Sequence, residues 1–474
     1  MSADSFPESK DMTITRFAFL ARLIAVAMGA VMFTTAQAAD RKKDAAPVAT
    51  ISPEEGLIEH KLYAPGTEKV GAGEMRVVAL GTGMPSARPK QASACWLVEL
   101  GNGDKVIFDI GSECHSRIAA QKIPYDYLDK VFITHLHVDH VGDMGSFWIG
   151  GATMNRTTPL RVWGPSADEE KYGTKYYMSR LKEMYGWDLH TRGAVIDSRG
   201  LTLQVNEFDY RGINKVVYDA NGVVIRSFPA AHGGEGAVCY VLEWNGLRLA
   251  YSGDNVPHQW WVDYTQHVDL SIHESFLPSM LLIEKQHFTP QEALNVGTQG
   301  HTSPEQFGKV MSLTRPRMAV AYHFYNDRDT APITRARIRK FYSGPLAISL
   351  DYMVFNVTQD QVRVRMSDVD RNAWPTAASR EKEGPKMMQI LPLITGPSRQ
   401  TVLTMPEVIG PIYEEVNKKY GTNYQPLTDS WMFKAANEMM RLKRSVSGFL
   451  SGESAAGSIS QVIERNYLPA PSDR

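Results

Sequence analysis

Apolar residues along this chain come in short runs, and the informative runs stop at a polar residue of a particular kind. Segments 75–80, 95–100, 105–108, 131–133, 160–165, 223–229 and 318–324 are rich in Val, Ile, Leu or aromatic residues. Their length and lack of a helical period predict buried strands. Gly101-Asn102-Gly103-Asp104 pairs two of them as a hairpin, and Asn245-Gly246 predicts another inside 233–253. Residues 169–187 have helical spacing and carry Tyr172, Tyr176, Tyr177 and Tyr185. A helix near the mouth of a site and a packing helix with exposed tyrosines both fit that segment. Thr289-Pro290-Gln291-Glu292 and Ser303-Pro304-Glu305-Gln306 each predict a helix start. A hydroxyl N-cap, proline at the first helical position and Glu or Gln two residues later make a capping box. Residues 346–366 read as two closing strands around Thr358-Gln359-Asp360.

The two ends have a different character. Residues 17–33 are nearly all apolar, broken by Arg22 and Gly29, with Arg16 ahead and Ala36-Gln37-Ala38 behind. This is the layout of a secretory signal peptide cleaved after Ala38, with Met12 as an alternative start. It predicts a periplasmic or secreted protein with no membrane span after cleavage. Residues 39–71 are a polar linker, 72–369 the main domain, and 370–474 a helical C-terminal extension. Within that extension 406–447 has helical spacing and ends in Arg441, Lys443 and Arg444. It covers the domain or mediates self-association, so a homo-oligomer is open. The chain of 474 residues is 43% hydrophobic, enough for a large core. Lys and Arg number 51 against 52 Asp and Glu, so no global basic field attracts nucleic acid, and no nucleic-acid partner is expected. Cys95, Cys114 and Cys239 are an odd count without a C-x-x-C pair, so a disulfide framework is not expected.

The chemistry concentrates where the strands stop. Thr134-His135-Leu136-His137-Val138-Asp139-His140 follows the run 131–133 and packs three histidines and an aspartate into six residues. His232, Asp254 and His323 each follow another apolar run, and so does Asp109. Strand ends bring residues distant in sequence to one sheet edge. Imidazoles and carboxylates suit zinc, and also manganese or iron.

With these residues the chain resembles the metallo-β-lactamase superfamily, in its ribonuclease Z and arylsulfatase branch, over roughly residues 75–366. Leu80-Gly81-Thr82-Gly83 resembles the opening turn of that branch. The resemblance implies an α/β fold, an αββα sandwich with a dinuclear metal site at one edge. It implies that His135, His137 and His232 bind one ion, that Asp139, His140 and His323 bind the other, and that Asp254 bridges them. Two divalent ions, zinc by preference, would lie on the order of 3.5–4 Å apart and supply hydroxide near neutral pH. Asp109 would support the metal loop from behind. No cysteine takes a ligand position, which departs from the β-lactamases that use a thiolate.

Two further segments carry the candidate acid. Leu270-Ser271-Ile272-His273-Glu274-Ser275-Phe276 resembles the His-Glu-Ala-Thr segment of ribonuclease Z, with Ser and Phe in its last two places. Gly300-His301-Thr302-Ser303 resembles that family's His-Ser-Thr loop, with the last two residues exchanged. The resemblance implies proton transfer by His301 with Glu274, and less directly by His273, with Asp139 also in the catalytic set. Hydrogen bonding within the loop is the plain alternative for His273 and Glu274.

Only 21 residues, 233–253, separate His232 from Asp254, where bacterial ribonuclease Z carries its long tRNA-gripping arm. The arylsulfatase-like members lack that arm. Residues 125–130, 295–299 and 322–327 further resemble the metallo-hydrolases associated with guanitoxin biosynthesis. Gly233-Gly234-Glu235-Gly236 is flexible and acidic, and shapes the pocket or repels anions. The reading is an exported, dinuclear metal-dependent hydrolase of a phosphodiester, sulfate ester or related small ester, acting through a metal-bound hydroxide. The alternatives are a lactone or amide hydrolase, a redox di-iron member, and a periplasmic binding or scaffold protein that keeps metal without turnover.

Overall fold

A computed structural model of the chain describes residues 62–192, 196–378 and 405–426. Residues 1–38, read as a signal segment, most of the linker 39–71 and most of the extension 370–474 lie outside the described residues; of the helical reading of 406–447, the part Pro406–Tyr420 is a helix and residues 427–447 lie outside them. Among the described residues, fifteen strands form two sheets. The first sheet runs β15 (Val362–Met366), β14 (Met353–Val357), β1 (Met75–Gly81), β2 (Cys95–Leu100), β3 (Lys105–Phe108), β4 (Lys130–Phe132), β5 (Leu160–Pro165), β6 (Leu203–Phe208). The second runs β13 (Leu346–Ile348), β12 (Met318–Tyr322), β11 (Leu270–Glu274), β10 (Leu247–Tyr251), β9 (Val238–Trp244), β8 (Val223–Pro229), β7 (Lys215–Ala220).

Three apolar layers hold the sheets. Every residue of β1 is buried, and its side chains alternate between two layers. Met75, Val77 and Ala79 enter the core between the sheets, while Val78 and Leu80 lie under the helices outside. That is why these runs read as continuously apolar: both faces are covered. The helical segment Met144–Thr153 covers the first sheet, and Pro304–Thr314 covers the second. The result is an αββα sandwich.

Strand direction positions the site. β3 to β6 run parallel, and so do β10 to β13. Parallel strands need crossovers, so their C-terminal ends gather at one edge, where ligands of open α/β sheets bind. Asp109 follows β3, the 134–140 loop follows β4, Asp254 follows β10, Glu274 ends β11 and His323 follows β12.

Four sequence expectations change. Residues 346–366 hold three strands, because the chain leaves the second sheet after β13 and turns at Tyr352 (φ 70°) before entering the first. The helix expected over 169–187 is broken. Gly173, extended at φ −82° and ψ 160°, separates a short turn at Glu170–Tyr172 from the helix Thr174–Met184, and Gly186–Arg192 forms another. Strands β6 and β7 gave no signal, being edge strands with few buried side chains. Finally, Cys95 at the start of β2 is disulfide-bonded to Cys114, which opens the helix Cys114–Ala119, with Cα atoms 6.0 Å apart. This is a single cross-link rather than a framework, and Cys239 stays free and buried. Both capping boxes are present as expected, on Thr289 and Ser303.

The cross-link closes a loop with a sequence separation of 19. Reducing it, or replacing both cysteines by serine, should lower unfolding free energy on the order of 3 kcal/mol. Urea unfolding with and without reductant checks this; identical midpoints would contradict a structural role.

Candidate metal centre

The 134–140 loop owes its shape to what lies behind it. The Asp109 carboxylate accepts the backbone N–H of Thr134 (2.8 Å), the Thr134 hydroxyl (2.8 Å), His140 Nδ1 (2.7 Å) and the Tyr251 hydroxyl (2.7 Å). Asp109 is fully buried and sits at φ 55°. Burial, then the Asp109 charge, pushes the Tyr251 phenol well up, so it stays a donor. Two glycines permit the close approach of these loops. A Cβ on Gly111 would lie 2.0 Å from the Asp139 carbonyl oxygen. One on Gly253 would lie 2.6 Å from the Thr134 side chain, and Gly253 sits at φ 57°.

These contacts assign the tautomers. Thr134 Oγ1 is committed as donor to Asp109, so it accepts from His135 Nδ1 at 3.1 Å. His140 donates from Nδ1 to Asp109. His232 donates from Nδ1 to the Gly300 carbonyl at 3.0 Å. In all three rings Nε2 is left as a bare lone pair, the arrangement that metal-ligating histidines show.

The lone pairs converge. His137 Nδ1 lies 3.0 Å from His135 Nε2 and 3.2 Å from His232 Nε2. His323 Nε2 lies 3.0 Å from Asp139 Oδ2, and His140 Nε2 lies 3.5 Å from the same oxygen. Among the described residues the donors fall into three overlapping groups, His135 with His137 and His232, Asp139 with His140 and His323, and Glu274 with His301 and His323, each within 4.8 Å and each including Asp254. Asp254 faces the first two groups with different oxygens. Its Oδ2 lies 3.8 Å from His135 Nε2 and 3.6 Å from His232 Nε2. Its Oδ1 lies 3.2 Å from His140 Nε2 and 3.1 Å from His323 Nε2.

The donor set fits divalent cations. His140 Nε2 and Asp254 Oδ1 are buried without a hydrogen-bond partner, which is costly unless a cation fills the gap. Burial, and then the neighbouring His140, hold His135 well below the ordinary imidazole range, which keeps its lone pair. For His140 burial acts the same way, but Asp254, Asp109 and Asp139 outweigh it and draw positive charge there.

Glu274 and His301 stand beside this set. His301 Nδ1 donates to Glu274 Oε2 at 2.9 Å and lies 3.8 Å from Asp254 Oδ2. The other Glu274 oxygen accepts the Asn255 backbone N–H. His273 lies on the opposite face of β11. Its Nδ1 donates to the Glu274 carbonyl at 2.7 Å, its Nε2 lies 3.3 Å from Asn255 Nδ2, and its ring packs 4.6 Å from Trp261. Asn255 also accepts the Ala231 N–H at 2.9 Å, next to His232, and its carbonyl accepts the Thr302 hydroxyl. Sequence reasoning missed Asn255, Tyr251 and Thr134, since a lone polar residue beside a ligand carries no pattern. Glu235, read as shaping the pocket or repelling anions, accepts the Asp168 N–H and so ties its glycine loop to the end of β5.

An αββα sandwich with this donor set at one sheet edge is the arrangement that the resemblance to the metallo-β-lactamase superfamily implies. The family described as Anti-Pycsar protein Apyc1 matches residues 75–287. Ribonuclease Z of Mycobacterium marinum is 28% identical over 187 residues, and that of Mycolicibacterium paratuberculosis 30% over 194. Each match covers 39% of this chain and 64% of the relative, just under two thirds of the relatives' length. Among solved structures, YhfI from Bacillus subtilis aligns at TM-score 0.45 and 16% identity, covering 60% of this chain and all of its own. The short form of human tRNase Z aligns at 0.44 and 17%, covering 59% and 98%. Zn(2+)-bound PqqB from Methylobacterium extorquens aligns at 0.43 and 14%, covering 60% and 100%. Within that resemblance, the sequence relatives that the chain matches are ribonucleases Z.

The Asp109 carboxylate aims His140, so Asp109→Asn should weaken zinc binding by the Asp139, His140 and His323 group roughly 10–100-fold. The group around His137 should be weakened less, since Asp109 reaches it only through Thr134 and His135. Calorimetric zinc titration of the metal-stripped variant checks this; an isotherm equal to wild type would contradict it.

Proposed function

We propose that this protein hydrolyses a small ester, a phosphodiester first and a sulfate ester second, with two divalent cations, outside the cytoplasm. The observation that carries the reading is the division of Asp254, whose two oxygens face two separate donor groups. Divalent cations bound there, zinc by preference with manganese or iron as alternatives, would supply Lewis acidity and bring the pKa of a water to about 7. His135, His137 and His232 would hold one, Asp139, His140 and His323 the other, and Asp254 would contribute to both.

The protein's own proton donor is His301. Burial opposes charge on this ring, but Glu274 outweighs it, and the pKa is pushed up to about 9. A ring protonated at neutral pH, with Nδ1 committed to Glu274, can give its Nε2 proton to a leaving oxygen. His273 has both nitrogens engaged and helps fix Asn255.

The ribonuclease name of the sequence relatives favours the phosphodiester. A small substrate is favoured over tRNA because residues between His232 and Asp254 are used up by a loop and the β9–β10 hairpin. Export is supported by the Cys95–Cys114 disulfide, since such bonds persist in oxidising compartments, and by the apolar segment 17–33.

Mature, zinc-loaded protein should cleave a nitrophenyl phosphodiester faster than a nitrophenyl sulfate, and chelation should abolish the activity. Preference for the sulfate would move the reading to the arylsulfatase-like members. Failure on both would favour lactone or amide substrates, or metal retention without turnover.

His301 also sets a pH limb. The protonated ring is the active form, so the rate falls as pH rises through its pKa, which bound cations push down from about 9. His301→Ala should lower kcat by about 10²–10⁴-fold on substrates with basic leaving groups and remove that limb. An unchanged pH–rate profile would contradict the assignment.

A further inference from the structure

The ring of Phe276 lies flat on His301, with centroids 4.1 Å apart and planes inclined by only 5°. Phe276 stands where the His-Glu-Ala-Thr segment of ribonuclease Z ends in threonine, so this contact follows from a departure in this chain. We propose that Phe276 is a positioning residue: its face fixes the plane of the His301 imidazole, so that Nε2 is aimed at the leaving-group atom. The proposal rests on the reading of His301 as proton donor.

A single hydrogen bond does not fix an imidazole. The bond from Nδ1 to Glu274 Oε2 holds one edge of the ring, and because a hydrogen bond tolerates misalignment it leaves the ring plane free to rock through small changes in χ1 and χ2. A second restraint must act on the ring plane, and a flat aromatic face does so. The other neighbours cannot. His232 lies 5.0 Å away at 49°, a tilted contact. His323 is nearly parallel at 26° but 5.4 Å distant, and is itself held by Asp139 and Asp254.

Phe276 is well placed for the task because it is itself immobile. It is 4% exposed and belongs to the apolar layer outside the second sheet, with Leu277, Leu281 and Met84. Its backbone N–H donates to the Thr302 carbonyl at 2.8 Å, which ties the β11 end to the residue after His301. The proton donor is therefore restrained from both sides of one joint. Proton-transfer efficiency depends steeply on such aim, and an aromatic–imidazolium stack adds a weak cation–π attraction.

The experiment compares Phe276→Leu, Phe276→Tyr and His301→Ala, each metal-loaded with metal content verified. Phosphodiesters with a nitrophenol and with a simple alkanol leaving group are used. A nitrophenolate departs with little help, whereas an alkoxide needs the proton. His301→Ala should therefore lose at least tenfold more kcat on the alkanol ester than on the nitrophenyl ester. Phe276→Leu keeps apolar volume without a flat face and should show the same selective loss in kcat with little change in KM. Phe276→Tyr keeps the face and should restore the wild-type ratio. Equal loss on both esters in Phe276→Leu, or a wild-type ratio, would overturn the proposal. If His301→Ala shows no selectivity, the proton-donor reading fails and takes the proposal with it.

A second readout separates the geometry from the chemistry. Ring current from Phe276 should shift the His301 ring protons upfield in the NMR spectrum, and Phe276→Leu should remove that shift. Ring protons at unshifted positions in the wild type would overturn the stacking itself.

Discussion

The constraint on which the structure depends is the gathering of bare lone pairs around a buried carboxylate. Asp254 has 2% exposure, and the imidazole nitrogens facing it lie 3.1–3.8 Å away. Such an arrangement is electrostatically poor when it holds nothing, because buried donors and acceptors without partners cost free energy. It becomes favourable when positive charge sits between them. Everything behind the site serves to hold the nitrogens in this orientation. Asp109 binds Thr134, His140 and Tyr251 at once, and the Gly300 carbonyl fixes His232.

The sandwich supplies the rigidity that this requires. The parallel strands β3 to β6 and β10 to β13 end at one edge, and the loops they emit carry the donors. Helical layers cover both outer faces, so the sheets cannot slide or splay without exposing core. Asn255 then ties three loops together, through Ala231, Glu274 and Thr302. The site is thus a property of the sheet edge rather than of any one segment.

Much of this was legible in the sequence, for a definite reason. Strands buried on both faces leave uninterrupted apolar runs, and a ligand ending such a run stands out, as His140, Asp254 and His323 do. The capping boxes at Thr289 and Ser303 were legible because they are local hydrogen-bond patterns. What failed depended on tertiary context. The Cys95–Cys114 bond pairs residues whose closeness only the fold creates. The edge strands β6 and β7 lack the apolar signal because little of them is buried. The roles of Tyr251 and Phe276 follow from what lies across the site, which no spacing encodes.

The central claim is that the two donor groups hold one cation each, with Asp254 between them. Anomalous diffraction at the zinc edge from crystals of the zinc-loaded protein tests it most directly. The account predicts two peaks, each about 2.0–2.2 Å from a different Asp254 oxygen. One of them would be shared with His135, His137 and His232, the other with Asp139, His140 and His323. A single peak, or two peaks that leave Asp254 outside the coordination of either, would contradict it.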